Sequence, residues 1–549
     1  MASSLRHVPD TVSRDHPTGH GDGDLKARLI GLALGLGARD VPGWSPSEEV
    51  LTRDSLGAAR GVVAEVRAQI RAGADPLGES FCRLRSPRQR RKDGAIYTPS
   101  CIVRAMLNWA EDHGDPQRVV DPGTGSGRFA VEAARRFPRA SIVAVESDPL
   151  AAILARGTLT AAGFRKRARV VTEDYRNLTL PRIAGRTLYV GNPPYVRHHG
   201  INATWKAWLT REAAARGYHA SQLAGLHVYF FLATLAHATP GDYGSFVTAA
   251  EWLDVNYGRL VRELFLGELG GQRIDVIEPT ALPFKDAATT AAITCFEVGS
   301  KPGSMRFRRV ARPRALKRLA GGRRVRRQCV AATSRWSGLT CLAPKIPAGH
   351  VELGEICRVH RGQVTGANRI WIAGDHCADL PPRVLFPAVT RARELFEAGT
   401  VLADSSRLRR VVDLPRDLSS FNDGERQAIT RFMRYARRHG ADTSYVATNR
   451  KAWWSVGLHD PAPILATYMA RRPPAFVRNR AAVRHLNIAH GLYPRERLDD
   501  RTLTSLATHL SNATTMRDGR VYAGGLTKFE PREMERILVP APDRLETCG

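Results

Sequence analysis

Four consecutive residues, Asn192-Pro193-Pro194-Tyr195, close the short apolar run RTLYVG at 186–191. Two prolines fix two φ angles and remove two backbone donors, and Pro193 holds Asn192 in an extended conformation. A strand tip stiffened this way presents the Asn192 side-chain carbonyl and the Pro193 main-chain carbonyl as two fixed acceptors. An exocyclic amine has two protons to give them. Acceptors placed out of the ring plane hold that nitrogen nearer tetrahedral and concentrate a lone pair otherwise delocalised into the ring. Tyr195 offers a face on which a planar base stacks. This chemistry requires no metal and no covalent nucleophile. Taken as backbone alone, the same residues are a rigid turn with an exposed tyrosine.

Three earlier strand ends carry a complementary set. VVDPGTGSGRF (119–129) places Asp121 before a turn whose Gly123 and Gly125 allow close approach of a ligand to the backbone. VAVESDP ends in Glu146, where a carboxylate accepts both hydroxyls of a ribose. VVTEDYRN offers Asp174 and Tyr175 to an adenine ring. Asp121 inside the loop repels a pyrophosphate and suits a cation. S-adenosyl-L-methionine, with an ammonium, a sulfonium and no phosphate, fits this set better than NAD. Singly, Asp121 reads better as a helix N-cap, Glu146 as a solvent-facing strand end and Asp174 as a turn residue. Four strand ends in order, each with a suitable residue, favour the site.

The elements that must position these residues follow from hydrophobic periodicity. Short apolar runs at 118–121, 141–146, 168–172, 186–191, 243–249, 273–278 and 291–298 predict seven strands. Helical patterns at 127–136, 149–162, 222–238 and 256–266 lie between them. The fold class is α/β, a doubly wound seven-stranded Rossmann-like sheet with an antiparallel tail. Residues 1–90 read as a polar tail and helical lead-in, 91–300 as the catalytic domain, and 301–345 as a basic connector. That connector carries twelve Lys and Arg between 301 and 327 and no acid. Residues 346–549, richer in Trp, Pro and Arg, read as a separate α+β domain.

A formal net charge of +29, from 82 Lys+Arg against 53 Asp+Glu, makes nucleic acid the leading partner. Eight cysteines in no CxxC pair and no zinc spacing read as reduced thiols. The apolar run LIGLALGLGA is too short for a membrane span. A cytoplasmic protein without metal or membrane is expected.

The ordered residues resemble the gamma-class N6-adenine-specific DNA methyltransferases of restriction–modification systems. GAIYTPSCIVRAMLNWA (94–110), DPGTGSG, VESDP, TEDY and GNPPYV follow one another as in that family. More loosely, 360–372, 449–457 and 521–542 are similar to its target-recognition domains. The resemblance implies methyl transfer to adenine N6 in double-stranded DNA, with the base swung out of the helix. It implies that Tyr97, Thr98 and Pro99 join Asp121, Glu146 and Asp174 at the cofactor, and that Asn192, Pro193, Pro194 and Tyr195 hold the amine. Phe284 falls roughly where the family lines its flipped-base pocket. A monomer is expected, and with only about ninety residues before the cofactor motif and no nuclease carboxylate-lysine cluster, any restriction endonuclease is expected as a separate chain. Two other readings fit the motif: a methyltransferase acting on a protein glutamine amide or an RNA base, and a non-catalytic DNA-specificity subunit.

Overall fold

Valine and isoleucine dominate the short runs after residue 117, and β-branched side chains favour the pleated, buried environment of a central sheet. In the computed structural model, which describes residues 21–85, 97–278, 290–340, 346–470, 472–522 and 526–545, all seven expected runs are strands. They are β1 (Arg118–Pro122), β2 (Ser141–Val145), β3 (Ala168–Val171), β4 (Thr187–Gly191), β5 (Tyr243–Ala249), β6 (Gly271–Ile277) and β7 (Ala291–Glu297). With β8 (Ser304–Val310) and β9 (Arg323–Arg326) they form one sheet of order 3-2-1-4-5-7-6-8-9. Strands β1 to β5 are parallel, and β7 runs antiparallel to both neighbours. The winding reverses between β1 and β4. In doubly wound sheets that reversal opens a crevice at the carboxyl ends of the strands.

Four helices form the lead-in: α1 (Gly21–Gly35), α2 (Pro46–Thr52), α3 (Arg60–Arg71) and α4 (Pro76–Leu84). Next come α5 (Ser100–Glu111), α6 (Arg128–Arg136), α7 (Pro149–Ala161), α8 (Ala203–Ala215), α9 (Leu226–His237) and α10 (Arg259–Leu266). From His227 to Leu235, α9 is buried on every side, as expected of a helix without a polar face. Leu29, Ile30 and Ala33 of α1 pack against Ile153 and Leu154 of α7. Arg156 and Glu48, both fully buried, form an ion pair between α7 and α2, and Arg156 also donates to the carbonyls of Val41, Pro42, Gly43 and Val170. Those extra acceptors are what a buried charge needs to be tolerated.

Two expectations change. The chain divides into two units, Met1–Ala343 and Pro344–Gly549, so the lead-in and all but the last two residues of the 301–345 segment belong to the first. The basic run is not a connector but β8 and β9, which widen the sheet from seven strands to nine among the described residues. Met305 and Phe307 of β8 and Val325 of β9 are buried on one face, at the alternate positions a strand requires. Acids that pair with the run lie upstream: Asp275 on β6, fully buried, is shared by Arg308 and its own strand's Arg273, and Glu278 pairs with Arg309.

The second unit carries a sheet of five strands, Cys357–Arg361, Ala489–Pro494, Ile464–Thr467, Phe476–Asn479 and Val401–Leu402 in spatial order. Helix Asp500–Ala513 packs Leu503, Leu506 and Leu510 into its core beside Phe476 and Leu492. Another core surrounds Trp371 and Phe432, the latter on helix Asp423–Arg438.

Candidate active site

The loop after β1 turns through Gly123 and Gly125 at φ of 73° and 57°, a region that favours glycine. A Cβ on Gly125 would meet nothing within 4 Å, so the space beside it is open to a ligand. The amides of Gly123 and Thr124 donate to the Val145 carbonyl at 2.8 and 3.0 Å, and the Gly125 amide donates to Glu146 Oε2 at 2.9 Å. These bonds fasten the loop to the end of β2.

Asp121 lies beneath this loop rather than in its wall. It is fully buried, and its Oδ2 accepts from Thr124 Oγ1 at 2.5 Å and from the Ala130 amide at 3.0 Å. Burial lifts its carboxyl to about 7, against the opposing effect of those two bonds. It braces the loop and the start of α6. Glu146 does face the cavity; its Oε1 accepts the Asp148 amide at 3.0 Å. With one backbone N–H on each oxygen it retains acceptor capacity on both. Burial raises its pKa.

At the end of β3, Asp174 Oδ1 accepts from the Arg176 amide at 3.0 Å and from Arg176 Nε at 2.7 Å, while Oδ2 pairs with Nη2. The Arg176 guanidinium lies 3.5 Å from the centre of the Trp205 ring. Tyr175 is only 2% exposed, and its hydroxyl shares a 2.9 Å hydrogen bond with Thr234. Its ring stacks on Phe230 at 5.2 Å, and both rings contribute to the wall. Phe230, not Tyr175, is the aromatic whose polar needs do not bind it elsewhere.

At the end of β4, the Asn192 amide nitrogen donates to Thr98 Oγ1 at 2.9 Å. Pro194 faces the glycine loop, its Cδ 3.5 Å from where a Cβ on Gly123 would stand. The Leu226 amide donates to the Val196 carbonyl at 2.9 Å, tying the loop to α9. Pro193 is buried. Tyr195 is half-buried, its hydroxyl enclosed without a hydrogen-bond partner among the described residues, and burial pushes its pKa well up. Tyr97 stacks beneath the Arg128 guanidinium at 3.7 Å, and the Thr98 carbonyl accepts from Arg128 Nη1 at 3.0 Å. Pro99 starts α5, its carbonyl accepting the Ile102 amide at 3.0 Å.

One cavity of about 460 Å³ gathers Tyr97, Thr98, Gly123, Gly125, Glu146, Asp174, Tyr175, Asn192 and Pro194. This volume suits a small-molecule ligand. Asp121, Pro99, Pro193 and Tyr195 stand behind or beside it, and Phe284 lies outside the described residues. The cavity also includes residues that sequence reasoning missed: Gly78, Phe81 and Arg85 from α4 and its end, Ser126 and Arg128 from the glycine loop, and Phe230. Asp75 caps α4 and Pro76 stands in its first turn. Each cation in the wall has its own carboxylate: Arg85 with Asp148, Arg128 with Asp75, Arg176 with Asp174. Glu146 and Glu173 remain, so the wall is acidic on balance. A cationic, phosphate-free ligand fits this donor set. Among the described residues no His, Cys, Asp and Glu group is placed to hold a metal ion, and no helix is long and apolar enough to cross a membrane.

Residues 104–218 match the methyltransferase small domain, 188–275 the Eco57I restriction-modification methylase, and 346–547 the C-terminal domain of the type II methyltransferase M.Eco57I. The type II methyltransferase M.XamI of Xanthomonas campestris pv. amaranthicola is 49% identical over 94% of this chain and 98% of its own length. The type II methyltransferase M.AccI of Acinetobacter calcoaceticus is 20% identical over 84% of this chain and 88% of its own. Among solved structures, the type IIG restriction endonuclease BpuSI aligns with 95% of this chain and 72% of its own at a TM-score of 0.47 and 15% identity.

Proposed function

This chain belongs to the type II methyltransferases of restriction–modification systems, and we propose that within that family it methylates adenine N6 at a specific site in double-stranded DNA. The observation that carries the reading is Asn192, held through its amide nitrogen by Thr98 and set beside the glycine loop. That bond assigns the nitrogen end of the amide to the protein, so Oδ1 is the acceptor for an incoming amine. With the Pro193 carbonyl it takes the two N6 protons and makes the nitrogen nucleophilic. Tyr195 stacks on the base, which leaves the duplex to reach a recessed site.

S-adenosyl-L-methionine, when bound, supplies a methyl group activated by a sulfonium. Glu146 would hold its ribose hydroxyls, Asp174 and Phe230 its adenine, and the loop from Gly123 to Gly125 its amino-acid end. Asp121 maintains the loop without touching the ligand. The second unit is the target-recognition domain, and the chain acts as a cytoplasmic monomer, with any endonuclease a separate polypeptide.

The deciding experiment incubates the protein with labelled cofactor and, in parallel, duplex DNA, RNA and total protein, followed by nucleoside analysis. Label in N6-methyladenine of DNA is expected. Label in RNA or in glutamine, with none in DNA, would replace this reading by one of its rivals.

A further inference from the structure

The lead-in helices have no part in the chemistry so far, yet α4 forms one wall of the cavity through Gly78 and Phe81. Asp75 stands immediately before it, 6% exposed. Its Oδ1 accepts the Gly78 amide at 2.8 Å, the ordinary bond of a helix N-cap. Its Oδ2 is turned the other way and accepts two bonds from the glycine loop, from Ser126 Oγ at 2.7 Å and Arg128 Nε at 3.2 Å. Capping requires one oxygen. The second spans to a loop some fifty residues later. A Cβ on Gly78 would approach Asp75 Oδ2 to 2.3 Å and Ser126 Oγ to 2.5 Å, so this meeting of α4 and the loop depends on glycine.

From Arg128 the connection continues. Its guanidinium covers Tyr97 and donates to the Thr98 carbonyl, and Thr98 Oγ1 holds Asn192. We propose that Asp75 is a positioning residue for both halves of the site. It sets the glycine loop against the cofactor and, through Arg128 and Thr98, orients Asn192. It also neutralises Arg128, whose charge would otherwise face the same cavity as a cationic ligand. The lead-in is thus a working part of the methyltransferase rather than an appendage. The Asn192 half of this inference rests on the function proposed above; the glycine-loop half does not.

The test uses the full chain and the variants Asp75→Ala, Asp75→Asn and Ser126→Ala. Three quantities are measured: calorimetric affinity for S-adenosylhomocysteine, single-turnover methyl transfer at saturating cofactor and DNA, and the unfolding midpoint. Asp75→Ala should weaken S-adenosylhomocysteine about 10-fold and slow the saturated step by about as much, the scale of losing charge-assisted hydrogen bonds. Asp75→Asn, which keeps an acceptor oxygen, should restore the saturated rate to within about 3-fold. Ser126→Ala, which removes one of the loop bonds, should weaken S-adenosylhomocysteine about 3-fold. A lower unfolding midpoint with affinity and saturated rate both within about twofold of wild type would reduce Asp75 to a helix cap. If Asp75→Ala does not fold, Ser126→Ala decides: affinity for S-adenosylhomocysteine within about twofold of wild type would overturn the proposal. Should the substrate prove not to be DNA adenine, the affinity measurements would still stand.

Discussion

The cavity at the carboxyl ends of β1 to β4 and the β6–β9 edge of the same sheet handle charge in opposite ways. At the cavity, carboxylates stand at or just beyond the strand ends and bond to near neighbours: Asp121 to Thr124, Glu146 to the Asp148 amide, Asp174 to Arg176. Along the edge, arginines stand inside the strands. Arg273 and Arg308 converge on Asp275, and Arg306 faces Arg324 across the β8–β9 ladder. Local charge arrangements report a binding surface, while the edge uses charge to hold strands from distant parts of the chain. Substitutions in the two regions should therefore fail differently, one in chemistry and the other in stability.

The sharpest contrast is Asn192→Ala. If Asn192 is one of two acceptors for the amine, as proposed, methyl transfer should fall by about 10³-fold, or about 4 kcal/mol. Affinity for S-adenosylhomocysteine should stay within about threefold. Parallel single-turnover and calorimetric measurements check the split. A comparable loss of cofactor affinity would mean that Asn192 serves the cofactor and that the contrast has been drawn in the wrong place.

At the edge, Asp275→Ala should do the reverse. It leaves two arginine side chains, 5% and 16% exposed, beside a vacated site. Breaking a buried pair this way costs about 3–5 kcal/mol. Denaturant unfolding should show that loss, while the folded fraction keeps its cofactor affinity. If the affinity falls with stability, the edge and the cavity are one cooperative unit and the division between them is false.

The same division explains what the sequence made legible. All seven expected strands are present, because Val- and Ile-rich runs such as SIVAV declare themselves locally. The motif residues that line the cavity are also local: each lies within a few positions of a strand end. Asp75 was illegible because its partners Ser126 and Arg128 lie some fifty residues away in another motif. Tyr175 was legible by its place after β3 and does line the cavity, but Phe230, which stacks on it, comes from a helix far along the chain. The run at 301–327 looked like a solvated connector because it holds no acid. Asp275 lies 33 positions before Arg308, and no window short enough to show strand periodicity includes both.

The smallest expected effect separates the two uses of charge within the edge itself. Arg306 and Arg324 are exposed and directly opposite in the antiparallel register, an arrangement that opposes folding by about 0.2–1 kcal/mol. Arg306→Gln should therefore raise the unfolding free energy by a few tenths of a kcal/mol, and less at high salt, where the repulsion is screened. Charge on an edge strand has a plain purpose in blocking edge-to-edge pairing. If that is its purpose here, duplex DNA affinity and its salt dependence stay unchanged in Arg306→Gln and Arg324→Gln. If these side chains instead meet phosphates, the slope of log K against log salt becomes shallower by about 0.9 for each phosphate no longer neutralised. A shallower slope would put a second charge-reading surface on the catalytic unit and narrow the contrast between edge and cavity. An unchanged slope, with the gain in stability, would leave that contrast intact, because the repulsion would then be tolerated for what it prevents rather than for what it binds.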